Sequence, residues 1–256
     1  MTRLLASVRS AEEAREAIAG GADIVDLKEP AAGALGRLAE GTIAEILRTV
    51  AGARPTSATI GDMPLAPAPV LAAVRRMAAS GVGIVKLGIF AGDAVATIAA
   101  LAAAAREGIR LVAVLFADRA PEFEIVGRCA EAGFHGVMLD TADKRGGPLT
   151  RHLSDEALGR FITEGRRHDL LTGLAGSLTA AEIPRLAALS PDYLGFRSAL
   201  TSGGRSAPLS RAAVAGLRAL LDAAARSKAT AAAGAQSAAL SPVAASAAST
   251  IASNPR

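Results

Sequence analysis

The sequence predicts an α/β protein of the (β/α)8 barrel type, and three observations carry that expectation. Short β-like runs alternate with amphipathic, alanine-rich helical segments, the runs number eight, and a length of 256 residues suits such a barrel. An open, doubly wound sheet is the competing arrangement, but no G-x-G-x-x-G follows the first strand.

The elements follow in order. LLASV is the first strand, and the helical EEAREAIAGG after it closes on glycine. DIVDLK and TSATI are the second and third strands, with AAVRRMAASG as a further glycine-terminated helix before GIVKLGIF, the fourth. RLVAVLFA, GVMLDT, LLTGLAG and DYLGFRS complete the set. The last amphipathic segment is SRAAVAGLRALLDAAARSK, so one catalytic barrel domain is expected over 1–228. Residues 229–256 are rich in Ala and Ser with almost no charge, and are expected to be a flexible, low-complexity tail without a catalytic role.

A hydrophobic content of 51% is enough to bury one full core. The net charge is +4, but the arginines are dispersed and aromatic residues make up only 3%, which leaves few stacking platforms for nucleic acid. Small anionic molecules are the better match. Cys129 is the single cysteine, so neither a disulfide framework nor a cysteine-rich metal site can form. His135, His152 and His168 share no metal-site spacing; neither a metal nor a cofactor is expected. No apolar run approaches the roughly 20 residues of a membrane span, and the N-terminus becomes charged too early for a signal peptide. The expectation is a cytoplasmic protein with no membrane partner, assembled as a homo-oligomer because barrel rims often associate.

Lysine usage is the sharpest signal. The chain has Lys28, Lys86, Lys144 and Lys228, and its other basic residues are arginine. Lysine can lose its proton and attack a carbonyl, whereas arginine effectively cannot. In ADIVDLKEPAAGALG, Asp26 and Lys28 lie two apart and leave the same face of an extended strand. Lys86 lies in the fourth strand, and Asp140 ends the sixth with Lys144 four residues on. Barrel active sites sit at the C-terminal ends of the strands, so these five residues should converge on one mouth. Each acid and lysine could form an ordinary ion pair. Clustered ammonium groups that are partly buried, however, should push a lysine pKa below its reference of about 10.4, and a neutral amine can form an imine with an aldehyde or ketone.

GLAGSLTAAE and GFRSALTSGGR place glycines and hydroxyls after the seventh and eighth strands, where barrels often bind phosphate. Gly176, Ser177, Arg197, Ser198, Gly203 and Gly204 are the candidate phosphate ligands, with Arg205 able to add charge. Thr179 and Glu182 can also form an ordinary helix capping box. A small phosphorylated carbonyl compound is the favoured substrate class.

ADIVDLKEPAAGALG, SATIGDMP, IVKLGIF and MLDTADKRG, in this order, resemble the (5-formylfuran-3-yl)methyl phosphate synthase family, over roughly Leu4 to Leu221. The resemblance implies a TIM barrel that joins two molecules of glyceraldehyde 3-phosphate into a furan aldehyde phosphate, releasing phosphate and water, for methanofuran-type cofactor biosynthesis and one-carbon metabolism. It also implies that Lys28 is the Schiff-base lysine of this lyase, with Lys86 as proton acceptor or donor and Asp26, Asp140 and Lys144 as the other catalytic positions. Two other functions use the same residues: a Schiff-base (class I) aldolase acting on a small sugar phosphate, and a noncatalytic sugar-phosphate-binding barrel.

Overall fold

The computed structural model describes residues 1–239. Eight parallel strands, β1 (Arg3–Val8), β2 (Ile24–Leu27), β3 (Thr56–Thr59), β4 (Ile84–Gly88), β5 (Leu111–Phe116), β6 (Gly136–Asp140), β7 (Leu171–Leu174) and β8 (Tyr193–Phe196), close into a barrel in sequential order. Every run expected to be a strand is one; β1 gains Arg3, and the others are trimmed by a residue or two at their ends. The sheet closes through β8 against β1, with Arg3 opposite Tyr193 and Ala6 opposite Phe196.

The helices α1 (Ala11–Ala19), α2 (Glu40–Val50), α3 (Pro67–Ala78), α4 (Ala94–Arg106), α5 (Ile125–Glu131), α6 (Leu149–His152), α7 (Asp155–Arg167), α8 (Ile183–Ala188) and α9 (Arg211–Ala239) alternate with the strands. Local signals set several of their starts: Ser10 caps α1 by accepting the Glu13 amide at 3.2 Å, and Ser154 accepts the Ala157 amide at the start of α7 at 3.3 Å. Within the segment expected as a tail, residues 229–239 continue α9, while 240–256 lie outside the described residues.

Period-two alternation sorts the strand residues into two cores. Leu4, Ala6 and Val8, Val25 and Leu27, Val85 and Leu87, and Val137 and Leu139 face the helices and form the larger one. Leu5, Ile24, Val112, Val114, Phe116, Met138 and Tyr193 face inward and fill the barrel. Gly173 makes room for this packing, since a Cβ there would lie 2.3 Å from the Tyr193 ring. The barrel is therefore a packed core with its functional surface at one end.

The same alternation places polar residues above that apolar layer. Ser7 stands one inward position beyond Leu5, Asp26 beyond Ile24, Lys86 beyond Ile84 and Asp140 beyond Met138. Register then aligns them: Ser7, Asp26 and Ser57 are side by side on β1, β2 and β3, and Thr59 is opposite Lys86. Burying so many polar groups is tolerable only where they satisfy one another.

Candidate active site

Asp26, Lys28, Lys86, Asp140 and Lys144 line one cavity at the C-terminal end of the barrel. Asp26, Lys28, Lys86 and Asp140 are buried, with Lys28 7% exposed and Lys86 only 2%, and Lys144 is partly buried. Lys28 follows the last residue of β2, and its amide extends the ladder by donating to the Val8 carbonyl at 3.0 Å. Lys144 lies beyond β6, in the loop that folds back over Asp140.

The pairing within the cluster crosses the barrel. Lys86 Nζ is 2.6 Å from Asp26 Oδ1, while Ser57 donates to the same oxygen at 2.6 Å and Ser7 to Oδ2 at 2.9 Å. Lys28 Nζ is instead bonded to Asp140 Oδ2 at 3.3 Å. Lys144 Nζ reaches the other Asp140 oxygen at 2.5 Å and also donates to the Thr141 carbonyl. The Thr141 amide donates to Asp140 Oδ1 at 2.8 Å. Two neighbouring sequence residues thus belong to different pairs: Asp26 holds Lys86, and Asp140 is shared by Lys28 and Lys144.

These contacts decide the charge states. Burial opposes ionisation of Asp26, but the Lys86 and Lys28 ammonium groups and the hydrogen bonds from Lys86 and Ser57 outweigh it, holding the carboxyl below its ordinary value. Asp140 follows the same balance: burial is overcome by Lys144, Lys28 and the Thr141 amide, and its carboxyl stays well below the usual carboxylate range. Burial pushes Lys86 down, Asp26 pulls it back and Lys28 adds repulsion, so its pKa is lowered. Lys144 is brought down to about 8 by burial, against the pull of Asp140 and with repulsion from Lys28 and Arg205. The expected depression of lysine pKa therefore falls on Lys86 and Lys144.

An apolar cluster lies beside these residues. Phe90 and Phe116 pack in it with centroids 4.7 Å apart and rings tilted by 38°, and Ala34 and Leu35 join it from the loop after β2. Asp62 pins that loop by accepting the Ala34 and Leu35 amides at 2.8 and 2.7 Å. Asp118, after β5, likewise accepts the Ala142 and Asp143 amides at 2.8 and 2.7 Å, bracing the loop that carries Lys144.

Of the expected phosphate ligands, Gly176, Ser177, Arg197 and Ser198 border the cavity; Gly203 and Gly204 lie outside its lining, exposed in the loop beyond β8. Gly176 is required by its surroundings: its φ is +109°, and a Cβ would come within 2.9 Å of the Thr141 amide nitrogen. Thr179 and Glu182 form the expected capping box, with the Thr179 amide donating to Glu182 Oε2 at 2.8 Å.

Arg197 is placed otherwise than a phosphate ligand requires. A guanidinium has five N–H donors. Here Nε donates to the Arg205 carbonyl (2.7 Å), Nη1 to the Ser7 carbonyl (3.1 Å) and Glu13 Oε2 (2.6 Å), and Nη2 to Glu13 Oε1 (3.1 Å) and the Ala207 carbonyl (2.8 Å). Its fork is fully engaged by the protein. Sequence reasoning missed Glu13, the buried acid that anchors this fork, and Ser7 and Ser57, which hold Asp26. The signal for the serines was their inward phase within LLASV and TSATI. Glu13 had none, because it looks like an ordinary acid in a helical first turn.

Among the described residues, no group of three or more His, Cys, Asp or Glu side chains is arranged to hold a metal ion, and no helix is long and apolar enough to cross a membrane. Cys129 is buried on the helical side of the barrel, and burial pushes its thiol up to about 12.

A closed parallel barrel with buried lysines and aspartates gathered at the C-terminal ends of its strands has the architecture of a (β/α)8-barrel enzyme. Its solved structural neighbours have that fold: 3-hexulose-6-phosphate synthase from Salmonella typhimurium superposes with a TM-score of 0.62 at 16% identity, covering 86% of this chain and 98% of that one. Thiamine phosphate pyrophosphorylase from Pyrococcus furiosus gives 0.61 at 12%, covering 87% and 96%. These likenesses establish the fold alone. The family model for 4-HFC-P synthase matches residues 4–218, and the chain belongs to that family of enzymes. A Methanopyrus kandleri relative named (5-formylfuran-3-yl)methyl phosphate synthase is 36% identical, with 79% of this chain and 90% of the relative covered. A Methylorubrum extorquens relative carrying a provisional form of that name is 43% identical, over 77% of this chain and 82% of its own length.

Proposed function

We propose that the chain condenses two molecules of glyceraldehyde 3-phosphate into (5-formylfuran-3-yl)methyl phosphate, with orthophosphate and water leaving, as a step of methanofuran-type cofactor biosynthesis. The observation that carries this reading is the pair of coupled clusters at one mouth: Lys86 on Asp26, and Lys28 with Lys144 on Asp140. An imine needs an amine that can be neutral, and the following steps need proton carriers within reach of the same carbon.

In this mechanism, Lys28 Nζ first gives up a proton to the site's proton carriers; the free amine then adds to the carbonyl carbon of one triose phosphate and water leaves, forming the imine. The protonated imine withdraws electrons from the adjacent carbon, so a C–H proton is lost and an enamine forms. The enamine carbon then bonds to the aldehyde carbon of the second triose, whose oxygen takes up a proton. Phosphate elimination, ring closure and dehydration yield the furan, and water cleaves the last bond to Lys28. No external oxidant or reductant is required.

The charge states divide the supporting roles. Asp26 and Asp140 stay ionised and stabilise cationic nitrogen, as the charge of the imine demands. Lys144, with a pKa of about 8, can exchange a proton near neutral pH, and Lys86 is a second proton carrier held in place by Asp26. The substrate phosphate sits against Gly176, Ser177 and Ser198, with Gly203 and Gly204 shaping the neighbouring loop. The enzyme acts in the cytoplasm and as a homo-oligomer, for which light scattering on the purified full chain is the direct check.

The decisive experiment incubates the full chain with glyceraldehyde 3-phosphate and borohydride, and maps any adduct by peptide mass spectrometry. A parallel assay without borohydride follows furan absorbance in the ultraviolet. An adduct on Lys28 with furan absorbance is the expected result. An adduct without absorbance would make the protein a simpler class I aldolase. Neither signal would remove the imine and leave a noncatalytic phosphate-binding barrel.

A further inference from the structure

Arg197 and Arg205 both border the cavity, yet their hydrogen bonding separates them. The Arg197 fork is consumed by Glu13 and by backbone carbonyls on β1 and on its own loop, so it cannot present a free donor to a ligand. It is a strut: it ties the loop after β8 to α1 and sets where Arg205 stands. Arg205 makes a single long contact, from Nη2 to the Gly33 carbonyl at 3.4 Å, and its Nε and Nη1 have no acceptor among the described residues. This half-buried guanidinium borders the same cavity as Lys144 and Asp140, close enough to Lys144 to help lower its pKa. Two cations around one opening, one with unused donors, favour an anion between them. In the lining of the same cavity, the amides of Gly176 and Ser177 also lack acceptors among the described residues.

We propose that Arg205 is the arginine that clamps a phosphate monoester dianion at this mouth, together with the Gly176–Ser177 turn, with Arg197 as the positioning residue behind it. The assignment rests on the reading of a phosphorylated substrate. It narrows the sequence expectation, which gave Arg197 a ligand role with Arg205 adding charge. A guanidinium with free Nε and Nη donors can meet two phosphate oxygens side by side, a geometry that a saturated fork cannot offer.

The test uses the full chain and inorganic phosphate as probe, titrated by calorimetry. R205Q should weaken phosphate binding about tenfold or more, as expected for loss of a charge-assisted hydrogen-bonded pair. R205K should recover part of that loss. R145Q removes an equally charged but fully solvent-facing arginine from the neighbouring loop and should bind as the wild type does. With glyceraldehyde 3-phosphate, R205Q should raise KM by a similar factor and change kcat only a few fold. Unchanged phosphate affinity in R205Q would overturn the proposal, as would an equal loss in R145Q, which would make the effect one of diffuse charge. A marked fall in the Tm of R205Q would also overturn it, by making Arg205 a structural strut. If the wild type forms no furan but phosphate binding still depends on Arg205, the synthase reading fails and the clamp stands. If furan forms while R205Q binds phosphate normally, the clamp fails and the synthase reading stands.

Discussion

Replacing Asp26 with asparagine tests the electrostatic account of the site most directly. Asp26 is 1% exposed, and its carboxylate supplies the counter-charge for Lys86, whose ammonium is 2.6 Å away and itself buried. Asparagine preserves shape and one acceptor oxygen but leaves that ammonium unpaired. Breaking a buried pair in this way costs about 3–5 kcal/mol, equivalent to roughly 10 °C in Tm for a chain of this size. Lys86 can escape the penalty by losing its proton. Burial already lowers the folded pKa of Lys86 and the variant removes the Asp26 charge that raises it, so it lies below the unfolded value of about 10.4 and the unfolded state binds the extra proton between the two. The deficit is therefore largest below the folded pKa and shrinks as pH rises. At pH about 9.5 deprotonation limits the charge contribution to about 1 kcal/mol, since one pKa unit is worth about 1.4 kcal/mol. Urea unfolding followed by circular dichroism at pH about 6 and about 9.5 measures both values. Adding Lys86→Met to the variant should recover most of the loss at the lower pH. A deficit below about 1 kcal/mol at pH 6, or one that does not change with pH, would refute the reasoning. In the wild type the sign is opposite: the depressed Asp26 pKa contributes stability that is present above the ordinary carboxylate value and lost as pH falls through the folded one.

Lys28→Arg keeps the positive charge and removes the nucleophile, so the borohydride adduct should vanish and furan formation should fall at least about a thousandfold while the circular dichroism spectrum is retained. For Lys144 acting as a base, kcat/KM should rise with pH through a limb near 8, and that limb should be absent in Lys144→Arg; an identical profile in the variant would remove Lys144 from proton transfer. Gly176→Ala forces a Cβ to within 2.9 Å of the Thr141 amide at a φ of +109°, which should cost about 1–3 kcal/mol and shows as a lowered urea midpoint. Cys129 should resist thiol reagents until the chain is unfolded, because it is buried and its pKa is pushed up to about 12.

The strand pattern was legible because each strand carries its own signature. Alternation in LLASV, DIVDLK and GIVKLGIF sets which side chains share a face, and this depends only on neighbours two residues apart. It put Asp26 and Lys28 on one face, and the positions of Lys86 and Asp140 within their strands put them at the same mouth. The scarcity of lysine marked three positions, and all three line the cavity.

Partnership was not legible at that level. DLK reads as an acid with its lysine, yet the acid bonded to Lys28 is 112 residues away at Asp140, and Asp26 is bonded to Lys86 instead. Arg197 and Arg205 look alike in GFRSALTSGGR, but the buried Glu13 saturates one and leaves the other with unused donors. By itself, then, the sequence determined the fold class and the residues offered to the barrel mouth, because hydrophobic periodicity and residue chemistry are local properties. Only the tertiary structure decided which acid neutralises which lysine and which arginine is available to an anion. Barrel closure and strand register set the distances between residues far apart in the chain, and buried charges must find their partners at those distances.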